Sequence, residues 1–259
     1  MAHASAGSIV RPYRWLAQYY DEFYASVRTP IDLARERLLG AILKRCESGC
    51  DLACGTGDTA LKMARQGILM YAVDLSERMC RIARAKAIRS GLPIRILHAD
   101  MRRFTLPHVV DVITCEFDAL NHVPKRSDLH LVTKAAARAL KPGGYFFFDV
   151  NNALGFERYW CGTHFFEKPS AAVVMRLGHD LRRKRAWSDM EWFIREGRHW
   201  IRHHEHVEEV CWTVEEIHRA LQASGFTEVR EWDAAPFFKA DSLIGPGCRT
   251  VYLARKMQE

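Results

Sequence analysis

Apolar and polar positions follow two different periods along this chain, and the change of period divides it. Between about residues 50 and 150, short apolar runs at 50–53, 69–73, 94–98, 109–115 and 145–150 read as strands. Stretches with apolar residues at helical spacing lie between them: 59–66, a segment from Ser76 to Ser90, and a long one ending at Leu140. Ser76 and Ser127 are predicted N-caps, Gly67 and Gly91 predicted helix ends, and 141–144 a predicted turn. Strands alternating with helices of this length predict an α/β fold with a doubly wound, mostly parallel sheet.

Both flanks differ from this core. Residues 11–27 are predicted to be an aromatic-rich helix, and Thr29-Pro30 to restart a second one through Arg45. After residue 150 the helical period stops, and 173–179, 184–194 and 199–210 show period-two patterning with turns at 180–183 and 195–197. Thr213 and Glu216 then form a predicted capping box, and 228–232 and 250–255 supply the last of seven core strands. The expected organisation is N-terminal helices and core over 1–150, an antiparallel lid over 151–210, and the rest of the core over 211–259.

Composition adds limits. With 259 residues, 48% of them apolar, the chain can bury a substantial core. No apolar run is long enough to span a membrane, and Met1 to Val10 lack the pattern of a secretory leader, so a cytoplasmic location is expected. The eight cysteines include no Cys-x-x-Cys pair, and free, partly buried thiols are the expectation. The net charge is +7, with 22 basic against 15 acidic residues in 1–150. Much of that excess lies on the helix carrying Arg78, Arg81, Arg84, Lys86 and Arg89, where it reads as a solvated face, so no nucleic-acid partner is expected. His203, His204 and His206 are too evenly split between two strand faces to suggest a metal site, and none is expected.

The chemistry sits at the strand ends. Asp51-Leu52-Ala53-Cys54-Gly55-Thr56-Gly57 places an acid and a short glycine turn after the first strand. Asp74 ends the second strand, where an acceptor would meet a ribose diol, and Asp100 follows the third. A dinucleotide site would share Asp74, but position 60 is alanine where a third glycine is usual. Asp51 would also repel a pyrophosphate, whereas it suits a ligand bearing an ammonium or sulfonium.

Together with His98-Ala99-Asp100-Met101, Asp111-Val112-Ile113-Thr114-Cys115 and Leu140-Lys141-Pro142-Gly143-Gly144, these motifs resemble the class I S-adenosylmethionine-dependent methyltransferases. The resemblance is close over about 46–150 and loose over 211–259; Ala53 and the pair Gly49-Cys50 depart from the family's usual pattern. It implies S-adenosylmethionine as cofactor, S-adenosylhomocysteine as product, and a seven-stranded Rossmann-like sheet. It also implies cofactor contacts from Tyr20, Asp51, Ala53, Cys54, Gly55, Gly57, Asp74, Leu75, Met79, Asp100, Met101, Cys115 and Phe117. In this reading Asp74 binds the ribose hydroxyls, Asp100 meets the adenine amino group, and Leu75 and Met101 flank the ring.

The stretch 115–122 is similar to the matching stretch of nucleotide-linked amino-sugar N-methyltransferases, which implies His122 as base or orienting group. The lid resembles that of small-molecule members, and Tyr24, Trp192 and Trp200 are the expected acceptor contacts. The expected function is methyl transfer to a nitrogen or oxygen of a small molecule, by a monomer or homodimer that does not bind membranes. An RNA or protein methyltransferase, a non-catalytic cofactor-binding module and a dehydrogenase are the competing readings.

Overall fold

The computed structural model describes residues 13–237 and 247–258. The start of the expected first helix and the leader reading of the first ten residues lie outside them. Five of the seven core strands are β1 (Ser48–Leu52), β2 (Leu69–Asp74), β3 (Ile94–His98), β4 (Val110–Cys115) and β5 (Leu140–Asn151). A second sheet is formed by β6 (Gly162–Lys168), β7 (Ala171–Asp180), β8 (Arg185–Glu196) and β9 (His199–Val210), before β10 (Phe226–Asp233) and β11 (Arg249–Lys256) complete the first. The core order is β10-β11-β5-β4-β1-β2-β3, with β11 antiparallel to both neighbours.

Helices α1 (Leu16–Leu43), α2 (Asp58–Ala64), α3 (Glu77–Ser90), α4 (Arg126–Ala139), α5 (Ala153–Tyr159) and α6 (Val214–Gln222) complete the chain. Strand order turns back at β1 and β4, and their carboxyl ends open the crevice where such sheets bind ligands. The central strands are buried on both faces, as parallel strands covered by helices must be.

Local chemistry explains several ends. The Ser76 hydroxyl accepts from the Met79 amide, and Gly91 closes α3 at φ +63°. The Thr213 hydroxyl accepts the Glu216 amide at 3.2 Å while the Glu216 carboxylate accepts the Thr213 amide at 3.0 Å, closing the expected capping box.

Four expectations are corrected. The two predicted N-terminal helices are one, with Pro30 inside α1. A proline there loses a backbone hydrogen bond, but Leu16 and Tyr19 on one side and Ile31, Ala34 and Leu39 on the other are all buried and hold both halves in line. The helix predicted from Ser127 starts at Arg126 after Lys125. The predicted turn at 141–144 is part of β5, absorbed by a register shift between Val110 and Val112. The lid has four strands; β6 escaped notice because its residues are nearly all exposed and show no in-out alternation.

The lid is fastened to α1. Along β8 the even positions from Ala186 to Ile194 are buried. Trp192 stacks on Tyr19, with ring centroids 5.7 Å apart. The buried Glu205 carboxylate accepts the backbone amides of Trp15 and Leu16 at 3.2 and 3.1 Å and the indole N–H of Trp192 at 3.1 Å. A carboxylate at a helix start satisfies orphan amides and complements the helix dipole.

Candidate functional site: two joined cavities under the lid

The loop after β1 is shaped by left-handed residues: Ala53 at φ +56°, Gly55 at +52° and Gly57 at +84°. Gly55 needs glycine for its dihedral, and its amide donates to Asp74 at 2.8 Å. At Gly57 a side chain would press on Ala83 at 3.0 Å, so this glycine lets α2 pack on α3.

Around this loop lies a cavity of about 330 Å³. The sequence-predicted residues Tyr20, Asp51, Ala53, Cys54, Gly55, Asp74, Leu75, Met79, Asp100, Met101, Phe117 and His122 all line it. Gly57 and Cys115 do not: Gly57 serves packing, and Cys115 is fully buried in the core, one residue before the cavity-lining Glu116.

The three acids are set differently. Asp74 accepts the Gly55 amide on one oxygen and the Ser76 amide, at 2.7 Å, on the other. Burial nevertheless pushes its carboxyl above the ordinary range. Asp51 accepts the Ala60 amide at 3.1 Å and the Thr114 hydroxyl at 3.2 Å. Burial, with the nearby Glu116 charge, pushes Asp51 up to about 8 against the opposing pull of Arg35. Asp100 goes the other way: burial would raise it, but hydrogen bonds from Arg102 outweigh that and hold it low.

Sequence reasoning missed Glu116. Its Oε2 accepts from Arg35 at 2.6 Å and from the Thr59 hydroxyl at 3.1 Å, while its Oε1 is buried without a partner. It also missed Tyr13, whose hydroxyl lies 2.8 Å from Nε2 of His122. The His122 ring also hydrogen-bonds the Glu208 backbone, which leaves Nε2 as the acceptor of the tyrosine O–H. Burial lowers the His122 pKa, so the ring is neutral at pH 7.

A second cavity of about 240 Å³ adjoins the first and shares Tyr13, Tyr20, Phe117, His122 and Val207 with it. Tyr24 lines it, as predicted. Trp192 and Trp200 line neither cavity. Trp192 lies on the same face of β8 as the lining residues Ser188 and Met190 but further along, beneath Tyr19 and Phe23. Trp200 stands half-exposed beside the β8–β9 turn.

The second cavity holds a group no local pattern announces. Phe117 and Asp118 take left-handed dihedrals, φ +61° and +50°, and donate their amides to Asp149 at 2.8 and 3.0 Å. Such strain persists only where surroundings enforce it. Burial pushes the Asp149 carboxyl up to about 6. Arg249, from β11, pairs with Asp118 and lies 2.9 Å from Asp149. Glu209, from β9, lies 3.6 Å from His122 Nε2.

Residues 50–144 match a family model described as a methyltransferase domain. The Bacillus subtilis (strain 168) protein YqeM, provisionally named a methyltransferase, is 28% identical over 216 residues, 83% of this chain and 86% of its own. An S-adenosylmethionine-dependent methyltransferase from Clostridium acetobutylicum superposes with a TM-score of 0.75 over 95% of this chain and 99% of that one, at 22% identity. Residues 50–144 are a methyltransferase domain, and the chain has the class I fold of S-adenosylmethionine-dependent methyltransferases. CalS10 of Micromonospora echinaspora, an amino pentose methyltransferase solved with its cofactor, shares the fold at a TM-score of 0.70 and 19% identity, covering 99% of this chain and 100% of its own.

The first cavity of the methyltransferase suits its cofactor. Its glycine turn leaves room for close approach, its charged lining is mainly acidic, and the unpartnered Glu116 oxygen suits an ammonium. Among the described residues no helix is long and apolar enough to cross a membrane.

Proposed function

We propose that this methyltransferase transfers a methyl group to a nitrogen or oxygen of a small molecule seated in the second cavity. The observation that carries this reading is the junction: the two cavities meet at His122 and Tyr13, the pair of titratable side chains best placed to handle a proton there. The comparison with an amino pentose methyltransferase supports a small acceptor by analogy of fold.

When bound, S-adenosylmethionine supplies an electrophilic methyl on a sulfonium. The protein's own part is positioning and proton handling. The lone pairs of Asp74 left after its two backbone bonds take the ribose hydroxyls. Asp100 meets the adenine amino group, with Leu75 and Met101 along the ring. Asp51 and Glu116 face the positively charged methionine end. Nε2 of the neutral His122 takes the acceptor's proton as the new bond forms, once the acceptor has displaced the Tyr13 hydroxyl from it. The lid, pinned to α1 through Glu205, keeps water out.

A methyl-release assay over amines, phenols, amino sugars and carboxylic acids tests the reading. Turnover on one of these classes supports it. Turnover only on RNA or protein, with no small molecule accepted, would overturn it.

A further inference from the structure

The second cavity carries an imbalance of charge. Two carboxylates, Asp118 and Glu209, line it beside one guanidinium, and the buried Asp149 lies against the same guanidinium. Arg249 is largely engaged: it pairs with Asp118 and donates to the Asn151 side-chain oxygen at 3.2 and 3.0 Å, while its Nη1 lies 2.9 Å from Asp149 without forming a hydrogen bond. Glu209 accepts a long 3.4 Å contact from the Asn151 amide and shares a hydrogen bond with Asp118. Burial, and then the neighbouring Asp118 charge, push the Glu209 carboxyl far up despite Arg249, so it keeps a proton that it shares with Asp118. An independent sign of an absent partner lies on the same wall, where the buried Ser188 hydroxyl has no hydrogen-bond partner.

We propose that this cavity is the subsite for a compact primary or secondary amine, whose protonated nitrogen is held by Asp118, Glu209 and His122. The inference rests on the methyltransferase reading above and narrows it to nitrogen. Three ligand atoms, one from each residue, lie within 4.8 Å of one another. Points so spaced have a common centre at most about 2.8 Å from each, within reach of N–H···O bonds. The same spacing admits a first-row metal ion at about 2.0–2.2 Å, and the manganese arm of the test below separates the two. An anion is disfavoured: among the described residues Arg249 is the only lysine or arginine lining the cavity, and its charge is set against those of Asp118 and Asp149. The small volume, about 240 Å³, favours the free amine over a nucleotide-linked one.

The chemistry balances. The bound ammonium displaces the Tyr13 O–H from His122 Nε2 and gives one proton to that nitrogen, which exposes the amine lone pair. That lone pair forms the N–C bond as the S–C bond breaks. The bonding pair stays on sulfur, and the sulfonium becomes a neutral thioether. The methylated nitrogen then carries the positive charge and still faces Asp118 and Glu209.

The test is titration calorimetry on the full chain saturated with S-adenosylhomocysteine. The probes are ethanolamine, putrescine and glucosamine, each beside its hydroxyl analogue (ethylene glycol, butane-1,4-diol, glucose), with manganese chloride as a separate arm. At least one amine is expected to bind 100-fold or more tighter than its analogue and to be methylated when S-adenosylmethionine replaces the product. Glu209→Gln should weaken that amine at least tenfold and leave the S-adenosylhomocysteine affinity within about twofold. Asp118→Asn should act alike; if losing its Arg249 pair unfolds the chain, Glu209→Gln alone decides. Product binding with no amine bound, equal binding of amine and hydroxyl analogue, or Glu209-dependent manganese binding alone would each overturn the amine subsite and leave the methyltransferase reading standing. Absence of product binding would remove both.

Discussion

Replacing Asp51 with asparagine separates what this acid costs the fold from what it does for the ligand. The side chain is 2% exposed, and its folded pKa is pushed from the ordinary 3.8 to about 8, chiefly by burial and then by Glu116. The folded chain therefore keeps a proton that the unfolded chain releases above about pH 4. Stability falls as pH rises through that window, at up to about 1.4 kcal/mol per pH unit, and is level above pH 8. From pH 4 to pH 7 the loss is on the order of 4 kcal/mol, a ceiling that structural relaxation reduces. Asp51→Asn keeps the shape and an acceptor for the Ala60 amide but holds no titrating proton. Its urea-unfolding free energy should fall less steeply with pH than the wild type's, by about one proton's slope. Other raised carboxyls, such as Asp149, act in both proteins and cancel in the difference.

The ligand should reverse the trend. A cationic methionine end favours ionised Asp51, so wild-type affinity for S-adenosylmethionine should rise up to tenfold per pH unit between pH 6 and 8. The asparagine variant should bind more weakly and without that pH dependence. Parallel stability curves for the two proteins, or identical pH dependence of binding, would refute the reasoning.

Other predictions follow from single contacts. His122→Ala should cut turnover by roughly 10²–10⁴ with cofactor affinity unchanged. In the wild type, turnover should fall on acidification below pH 6.5, because burial lowers the pKa of the neutral ring that acts as base; a flat acid limb would remove that role. Glu205→Ala should cost about 2–4 kcal/mol in denaturant unfolding, since three donors lose a buried acceptor, and Glu205→Gln distinctly less. Gly57→Ala should cost about 1–2 kcal/mol by chemical denaturation, from the φ of +84° and the 3.0 Å approach to Ala83; an unchanged midpoint would show that α2 and α3 can yield.

The sequence made the cofactor cavity legible because its parts are local. Asp51, Asp74 and Asp100 each end a short apolar run, and the register of parallel strands brings those ends together. The second cavity was not legible, because its polar centre is drawn from four separate parts of the chain. Asp118 and His122 follow β4, Asn151 ends β5, Glu209 lies on β9 and Arg249 opens β11. Parity along β9 correctly divided His203 and Glu205 from His204 and His206: the first pair turns to Trp15 and the start of α1, the second to Asp189 and Glu191. Parity did not say how far along each strand the cavities run, and so did not show that Trp192 and Trp200 line neither of them. Continuity of α1 through Pro30 was hidden because the packing that sustains it is tertiary.

The most direct measurement is calorimetric titration of the folded wild-type chain and of Asp74→Asn with S-adenosylhomocysteine. The wild type should bind one equivalent. The variant should bind on the order of 100-fold more weakly, because two hydrogen bonds to a charged acceptor, each worth about 1.5–3 kcal/mol, lose their carboxylate. No heat from the folded wild type, or equal affinity in both proteins, would contradict a cofactor held at the strand ends by these acids.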